Sequence, residues 1–208
     1  MNYGTQRPGL PTYLVAILAT CGGCLLVAIV AGALLAGAAM NSAPGILTRA
    51  GILQGEKRYA EAEALLRTAA HSSPNDPMVL NDLAWTLYLE GKYSEGEEFA
   101  QRAVARDGSP SNVDTLAHCH LGLKKYAAAE KEFHSALAAN PTMAESHDGL
   151  GQVYEQRGQL EKALDEYRTA VEEKPGIEGT RDRIARIEAK TAGEKRGKPA
   201  HVPKTGTP

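Results

Sequence analysis

The sequence predicts an all-α protein: a solenoid of paired helices that follows a single apolar helix near the N-terminus. The chain has 208 residues and repeats one set of helical spacings four times, at intervals of 33 or 34 residues. Before the repeats, 27 consecutive residues from Leu14 to Met40 carry no charge. Aromatic residues make up only 5% of the chain, which disfavours an all-β domain.

Residues 13–40 are predicted to form a transmembrane helix, a signal anchor, after an N-terminus (1–12) that is expected to be unstructured. As a helix, the apolar stretch would span roughly 40 Å, and a bilayer core needs about 20 residues. The alternative is a cleaved signal peptide, for which Ala36-Gly37-Ala38 offers a cleavage site between small residues. Cleavage there would give a secreted, soluble protein.

The charges on either side of this segment predict its orientation. Arg7 and the α-amine precede it without any acid, and Arg49 is the only charge soon after it. The positive-inside bias therefore favours a cytoplasmic N-terminus, with the body of the chain on the outer (periplasmic or extracytoplasmic) side. The four-residue spacing of Ala28, Gly32 and Ala36 would permit weak self-association, although Ala and Gly are abundant throughout the segment.

The repeated spacing begins at Tyr59, Tyr93, Tyr126 and Leu160. Small or apolar residues follow each of them after 3, 7 and 10 residues, and a proline or glycine follows after 15. The first three offsets lie on one face of a helix, and proline ends a helix because it cannot continue the hydrogen-bond ladder. A second helical pattern precedes each start and carries a small residue that would let the paired helix approach closely; these residues are Ala50, Ala84, Ala117 and Gly151.

The fourth repeat, with Leu150-Gly151-x2-Tyr154, Ala163-x3-Tyr167 and Pro175, resembles the tetratricopeptide repeat (TPR). The resemblance covers residues 43–177 and implies four helix-turn-helix units, at 43–76, 77–109, 110–143 and 144–177. The sequence departs from the family pattern at His147, where Trp is usual, at Gly96 in place of Ala, and at Arg49 in the first unit. Members of this family bind proteins and peptides.

The stack is expected to end in a capping helix at 178–192, because an open-ended array needs a polar outer face. Ile184 and Ile187 should face the stack, and Arg181, Arg183 and Lys190 should lie in water. Residues 193–208 are rich in Pro, Gly and Lys and are expected to form a disordered basic tail with a net charge of +3. Residues 41–176 carry a net charge of −7.

In the TPR family the first helix of each unit lines a concave groove, and the resemblance carries that role onto matching positions here. These positions are Met78, Asn81, Trp85, Tyr88 and Leu89 in unit two, Asp114, His118 and Leu121 in unit three, and Glu145, Asp148, Gln152 and Glu155 in unit four. Trp85 and Tyr88 beside an acidic wall predict a protein or peptide partner with apolar and basic side chains. Alternatively, the two aromatic residues only cover the edge of the helix packing.

The same positions disfavour one recognition mode known in the family, capture of a partner's C-terminal carboxylate by Lys, Arg and Asn. Only Asn81 matches that set. The net charge of −2 also argues against nucleic-acid binding, which needs a strongly basic face.

The sequence gives no support for catalysis, for a metal site or for a cofactor. His118, Cys119 and His120 are consecutive, so on a helix their side chains point in different directions and cannot form one metal site. No phosphate-binding glycine loop or HExxH motif is present.

We therefore expect a membrane-anchored scaffold or adaptor that assists a membrane or envelope complex. The alternatives are a regulatory subunit of a membrane enzyme, the secreted form described above, and a self-associating structural protein.

Overall fold

The computed structural model describes residues 43–197, with side chains at 44–192, and in this range the chain is helical throughout apart from short turns. The expected N-terminus at 1–12, the predicted transmembrane segment at 13–40 and the tail from residue 198 onward lie outside the described residues. No helix among the described residues is long and apolar enough to cross a membrane. Within the described range, residues 50–197 belong to one compact part of the chain.

Nine helices cover the described range, and their bounds follow the predicted repeat. They are α1 Ala43–Gly55, α2 Tyr59–Ser72, α3 Pro77–Leu89, α4 Tyr93–Arg106, α5 Pro110–Gly122, α6 Tyr126–Ala139, α7 Ala144–Gln156, α8 Leu160–Glu173 and α9 Thr180–Gly197. The four predicted starts are the first residues of α2, α4, α6 and α8, which we call the outer helices. We call α1, α3, α5 and α7 the inner helices.

A three-residue turn joins each inner helix to the outer helix of its unit. The middle residue of every turn has a positive φ: 60° at Lys57, 79° at Gly91, 60° at Lys124 and 72° at Gly158. The next residue then donates its N–H to a carbonyl five residues earlier, as from Lys125 to His120 at 2.8 Å. This closure satisfies the last carbonyls of the inner helix and fixes the angle of the hairpin.

Two large aromatic residues of the outer helices pack against glycines of the inner helices. Tyr167 is fully buried against Gly151, and Phe133 is fully buried against Gly149. A Cβ atom at Gly149 would lie 2.2 Å from the Phe133 ring, so the ring occupies the place of a side chain. This confirms the predicted close approach at position 151 and shows a second one at position 149.

Gly96, a departure from the family pattern, has a local explanation in α4. A Cβ atom there would lie 3.1 Å from the Ala84 carbonyl oxygen and 3.1 Å from the Cys119 Sγ atom. The glycine therefore makes room for the larger sulfur side chain of the next inner helix.

The last helix, α9, packs against α8 as an inner helix of a fifth unit would. Ile187 is buried and Ile184 is half-buried, as expected. The expectation for Arg183 was wrong: its side chain is only 27% exposed and its Nη1 lies 3.0 Å from Asp148 Oδ1. The helix also continues to Gly197, five residues into the segment expected to be disordered, because the first proline after it is Pro199.

Candidate functional site

The inner helices α3, α5 and α7 lie side by side, with α3 contacting α5 and α5 contacting α7. In a stack of two-helix units, the layer whose helices approach each other most closely forms the concave side. The groove residues carried over from the TPR family all lie on these three helices.

Five rings form one aromatic cluster beneath the groove between units two and three. Trp85 stacks on Tyr88 with ring centroids 5.1 Å apart, and Tyr88 also lies 5.7 Å from Tyr93. His118 is the hub, at 5.3 Å from Trp85, 5.2 Å from Tyr88 and 4.9 Å from Phe133. The sequence pointed to Trp85 and Tyr88 but not to Phe133, whose ring reaches this cluster from α6.

The predicted groove residues separate into an accessible set and a buried set. Met78 is 64% exposed, and the half-buried members are Asn81, Trp85, Tyr88, Leu89, Glu145, Gln152 and Glu155. Asp114, His118, Leu121 and Asp148 are buried, with at most 9% of each residue exposed. A partner can therefore contact the first set directly, whereas the second set lies under neighbouring side chains.

The two buried aspartates serve contacts between units, at equivalent positions of α5 and α7. Ser146 donates its hydroxyl to Asp114 Oδ1 at 2.5 Å, and Thr180 donates to Asp148 Oδ1 at 2.6 Å. Each donor lies 32 residues after its acceptor, so the same contact recurs once per unit. Burial raises the pKa of Asp114, against the opposing influence of His118 and Ser146.

The acidic wall predicted for unit four is paired within the chain. Arg186 of α9 donates to Glu155 Oε1 at 2.6 Å, and the Tyr167 hydroxyl donates to Glu155 Oε2 at 2.9 Å. Lys174 donates to Glu145 at 2.6 Å. The sequence did not indicate these partners, because each donor lies 12 to 31 residues later in the chain than its acceptor.

Tyr88 is half-buried in the aromatic cluster and lines the groove. Burial raises its pKa to about 12, with smaller contributions from Tyr93 and Asp148 and an opposing one from Arg183. The phenol is therefore neutral at physiological pH and keeps its hydrogen to donate.

A depression of about 240 Å³ continues the groove at the C-terminal ends of α5 and α7. Tyr88, Tyr93 and Tyr126 line it together with Leu121 and Gln156. Its volume suits one or two side chains. The sequence did not predict Tyr93, Tyr126 or Gln156 as groove residues. Tyr93 and Tyr126 were recognised only as the first residues of outer helices.

In the segment from His118 to His120, the side chains of Cys119 and His120 have structural roles. His120 lies between two carboxylates, with Nδ1 2.6 Å from Glu132 and Nε2 3.0 Å from Glu97. Burial raises the pKa of the Cys119 thiol to about 12, which keeps it protonated and a poor nucleophile. Within the described residues, no group of three or more His, Cys, Asp or Glu side chains is arranged to hold a metal ion.

These features define a class of protein, the helical-hairpin solenoids with a concave inner face. Tetratricopeptide repeat models match residues 53–118 and residues 115–176, which together include most of the helical stack. The chain belongs to the tetratricopeptide repeat family.

Among known proteins, the mouse BBSome complex member BBS4 is 30% identical over 135 residues, which are 62% of this chain and 25% of that protein. The chain spans a quarter or less of the length of BBS4 and of CDC16, the anaphase-promoting complex subunit of Saccharomyces cerevisiae.

Solved structures show the same fold at lower identity. The thermophilic TPR protein TTC0263 of Thermus thermophilus superposes with a TM-score of 0.66 at 23% identity, covering 72% of this chain and 83% of that one. The first TPR of Spaghetti (RPAP3), bound to the HSP90 peptide SRMEEVD, superposes with a TM-score of 0.51 at 23% identity and covers 56% of this chain and 93% of that one.

Proposed function

We propose that this chain is a protein-interaction scaffold that binds an extended segment of a partner protein in the groove of the inner helices. The observation that carries the proposal is the Trp85–Tyr88 stack, which is half-exposed on the concave side, on the same helix as the exposed Met78. Aromatic residues in such a position are the usual energetic centre of a protein interface. TPR proteins generally bind other proteins, as the peptide complex of RPAP3 illustrates, so we infer a binding role and no catalysis.

We favour an extended segment over a helix as the occupant of the groove. A helix pairs its main-chain amides internally, whereas an extended segment offers them to the groove. An extended segment can also place one side chain in the tyrosine-lined depression of about 240 Å³.

We expect the partner segment to present apolar side chains to unit two. Its basic side chains are expected to contribute less to binding. Met78, Trp85 and Leu89 offer apolar surface, but Glu155 and Asp148 already bind Arg186 and Arg183. A basic side chain of the partner would have to compete with these arginines. An acidic peptide such as SRMEEVD lacks a match here, because the predicted groove positions carry no Lys or Arg.

The groove is tested by photo-crosslinking of the full-length chain in its host cells. A photo-reactive phenylalanine analogue at Met78 is expected to give defined adducts, and the same analogue at Ala105, exposed on α4, is the matched control. Trp85→Ala and Tyr88→Ala should remove the adducts while leaving the helical circular dichroism intact. Adducts that persist in both variants would contradict the groove assignment.

We also propose that residues 13–40 anchor the scaffold in a membrane, with its N-terminus in the cytoplasm and its body on the outer side. The support is the 27-residue uncharged apolar stretch and the distribution of Arg7 and Arg49 around it. The anchor would hold the groove near membrane complexes and so raise its effective concentration there. Weak self-association through the anchor is compatible with this role.

The test is protease accessibility of a tag placed after Pro208, in intact cells and after lysis. Cleavage from outside a full-length chain is expected. Protection until lysis would reverse the orientation, and a chain shortened by about forty residues would show that the segment is a cleaved signal peptide.

A further inference from the structure

His120 of α5 occupies a packing position that carries a core side chain in every other unit. It follows the small residue of its inner helix by three positions, as do Leu53, Leu87 and Tyr154 in units one, two and four. Those three residues are buried, with at most 7% of each exposed, and His120 is buried as well, at 8%. Unit three therefore has an imidazole where the other units have an aliphatic or phenol side chain.

Both ring nitrogens of His120 face a carboxylate. The Nδ1 atom lies 2.6 Å from Glu132 Oε2 on α6, and the Nε2 atom lies 3.0 Å from Glu97 Oε1 on α4. An ionised carboxylate only accepts hydrogen bonds, and a neutral imidazole carries a single N–H. A hydrogen in each contact therefore requires one proton more than a neutral imidazole between two carboxylates provides. Without that proton, a nitrogen lone pair would face a carboxylate oxygen at hydrogen-bond distance.

The other charged and titratable groups around this ring favour one of the two carboxylates. Lys125, in the turn before α6, donates to both oxygens of Glu97 at 2.7 Å. Lys131 of α6 acts on Glu132 only through its charge. The thiol of Cys119, the preceding residue on α5, keeps its proton because burial raises its pKa to about 12. Glu132 therefore lacks the direct ammonium bond that Glu97 has.

The pKa shifts of the two carboxyl groups reflect this difference. Burial acts to raise the pKa of Glu97, but the hydrogen bonds from Lys125 and His120 outweigh it, and the pKa is lowered. Burial also raises the pKa of Glu132, and there the hydrogen bond from His120 does not offset it. The additional proton therefore belongs to the contact between His120 and Glu132.

The hydrogen bond between His120 and Glu97 crosses from unit three to unit two, where α5 packs against α4. Two residues earlier on α5, the His118 ring contacts Trp85 and Tyr88 of α3, at centroid distances of 5.3 and 5.2 Å. The same inner helix thus carries a proton-dependent bond to unit two and part of the aromatic cluster beneath the groove. Release of the first contact would loosen the helix that makes the second.

We propose that Glu97, His120 and Glu132 form a proton-dependent clamp that holds units two and three together and loosens as the pH rises from mildly acidic to alkaline. In an unfolded chain, an imidazole loses its proton as the pH rises through about 6.5. The folded clamp keeps a proton in each contact above that pH, so the folded state binds more protons than the unfolded state and its stability falls as the pH rises. The contribution of the clamp is therefore complete in mild acid and is lost in base.

Glu132→Gln tests the clamp, because its amide can donate to Nδ1 of a neutral His120 while Nε2 donates to Glu97. This variant keeps both hydrogen bonds without the additional proton. In full-length protein in micelles of an uncharged detergent, the wild-type melting temperature should fall by about 2–5 °C more than that of the variant between pH 6 and pH 9. The hydrogen-exchange protection factors of the α5 amides should fall over the same range in the wild type and stay level in the variant.

A second variant keeps the test decisive if the amide disturbs folding. His120→Leu combined with Glu132→Phe gives unit three the residues that unit two has at the same positions, Leu87 and Phe99. Replacing a buried ion pair by apolar side chains of similar size is often neutral for stability, so this variant should fold and lose the same pH dependence. Glu173→Gln, at an exposed position of α8, is the matched control and should follow the wild-type curve.

The contrary results are equally specific. Wild-type pH dependence in both variants would overturn the clamp. A difference in melting temperature between wild type and Glu132→Gln that is the same at both pH values would also overturn it, because Glu132 would then act through packing alone. No partner takes part in these measurements, so their outcome is separate from that of the Met78 crosslinks, which decides the proposed function.

Discussion

Gly151 lets the Tyr167 ring lie flat against the inner helix of unit four, so one absent side chain decides how closely α7 and α8 pack. A Cβ atom at this position would lie 2.5 Å from the ring, and Tyr167 is fully buried with no room to withdraw. We expect Gly151→Ala to lower the free energy of unfolding by about 1–3 kcal/mol through overpacking. Urea denaturation measures this change.

The matched control for that substitution is Gly51, which lies on an exposed part of α1 with no atom within 4 Å of a Cβ. Here the same change should raise stability by about 0.5–1 kcal/mol, because alanine favours the helix. If both variants lost stability equally, general helix effects and not the Tyr167 contact would govern position 151.

Single residues also show where prediction from sequence reached its limit. The small residue at 151 could be recognised because it recurs at one offset in every unit. The burial of His118 and Asp148 could not, because it depends on Phe133, Thr180 and Arg183, which lie 15 to 35 residues later in the chain. Sequence spacing places a residue on a helix face, but only the packing of neighbouring helices decides whether that face is open.

At the scale of elements, the turns between inner and outer helices share one backbone geometry, but their middle residue is a glycine in two turns and a lysine in the other two. Gly91 and Gly158 adopt the left-handed conformation without strain, whereas Lys57 and Lys124 carry a Cβ atom in it. We expect Lys124→Gly to stabilise the fold by about 0.5–1 kcal/mol, because the strain relieved exceeds the added chain entropy. Thermal denaturation would measure the gain.

The reciprocal change at the equivalent turn supplies the control. Gly158→Lys should destabilise unit four by a similar amount, since it introduces the strain that Lys124 already bears. A loss of stability in Lys124→Gly would mean that the lysine side chain makes contacts worth more than the strain of its backbone.

The helices themselves were the most predictable elements, because their pattern is local. All four predicted starts begin an outer helix, and prolines follow the ends of α2, α6 and α8 as expected. The end of α9 was less predictable. A run of Glu, Lys and Arg is typical both of a helix and of a disordered tail, so composition does not distinguish the two.

Across the whole molecule, stability is the sum of the units and of the contacts between neighbouring units. Lys92 of unit two donates to Glu63 of unit one at 2.7 Å, and this bond, with Arg67 assisting, holds the pKa of Glu63 at about 2. The contribution is therefore complete above the ordinary pKa of a glutamate and disappears as the pH falls from about 4.5 to about 2.

Glu63→Gln should consequently cost about 1–2 kcal/mol at neutral pH, a value reduced for the exposure of Lys92 to solvent. Denaturant unfolding across this pH range should show the wild-type and variant stabilities converging toward pH 2. Glu98→Gln, on the exposed surface of α4, is the control and should follow the wild-type curve. A constant gap at every pH would show that Glu63 acts through packing and not through its charge.

The capping helix connects stability to binding, because its arginines occupy the acids that the sequence assigned to a basic partner. Arg186 is 64% exposed and bonds to Glu155, which also accepts from Tyr167. Arg186→Ala should therefore leave the fold intact and free one carboxylate oxygen toward the groove.

We expect tetralysine amide to bind this variant roughly two- to fivefold more tightly at low salt, with the gain lost in high salt. Arg168→Ala removes another exposed arginine, 52% exposed, from its pair with Glu188 and should bind tetralysine as the wild type does. Equal binding by both variants would mean that the unit-four wall does not receive cations, which would leave the apolar surface around Trp85 as the determinant of partner choice.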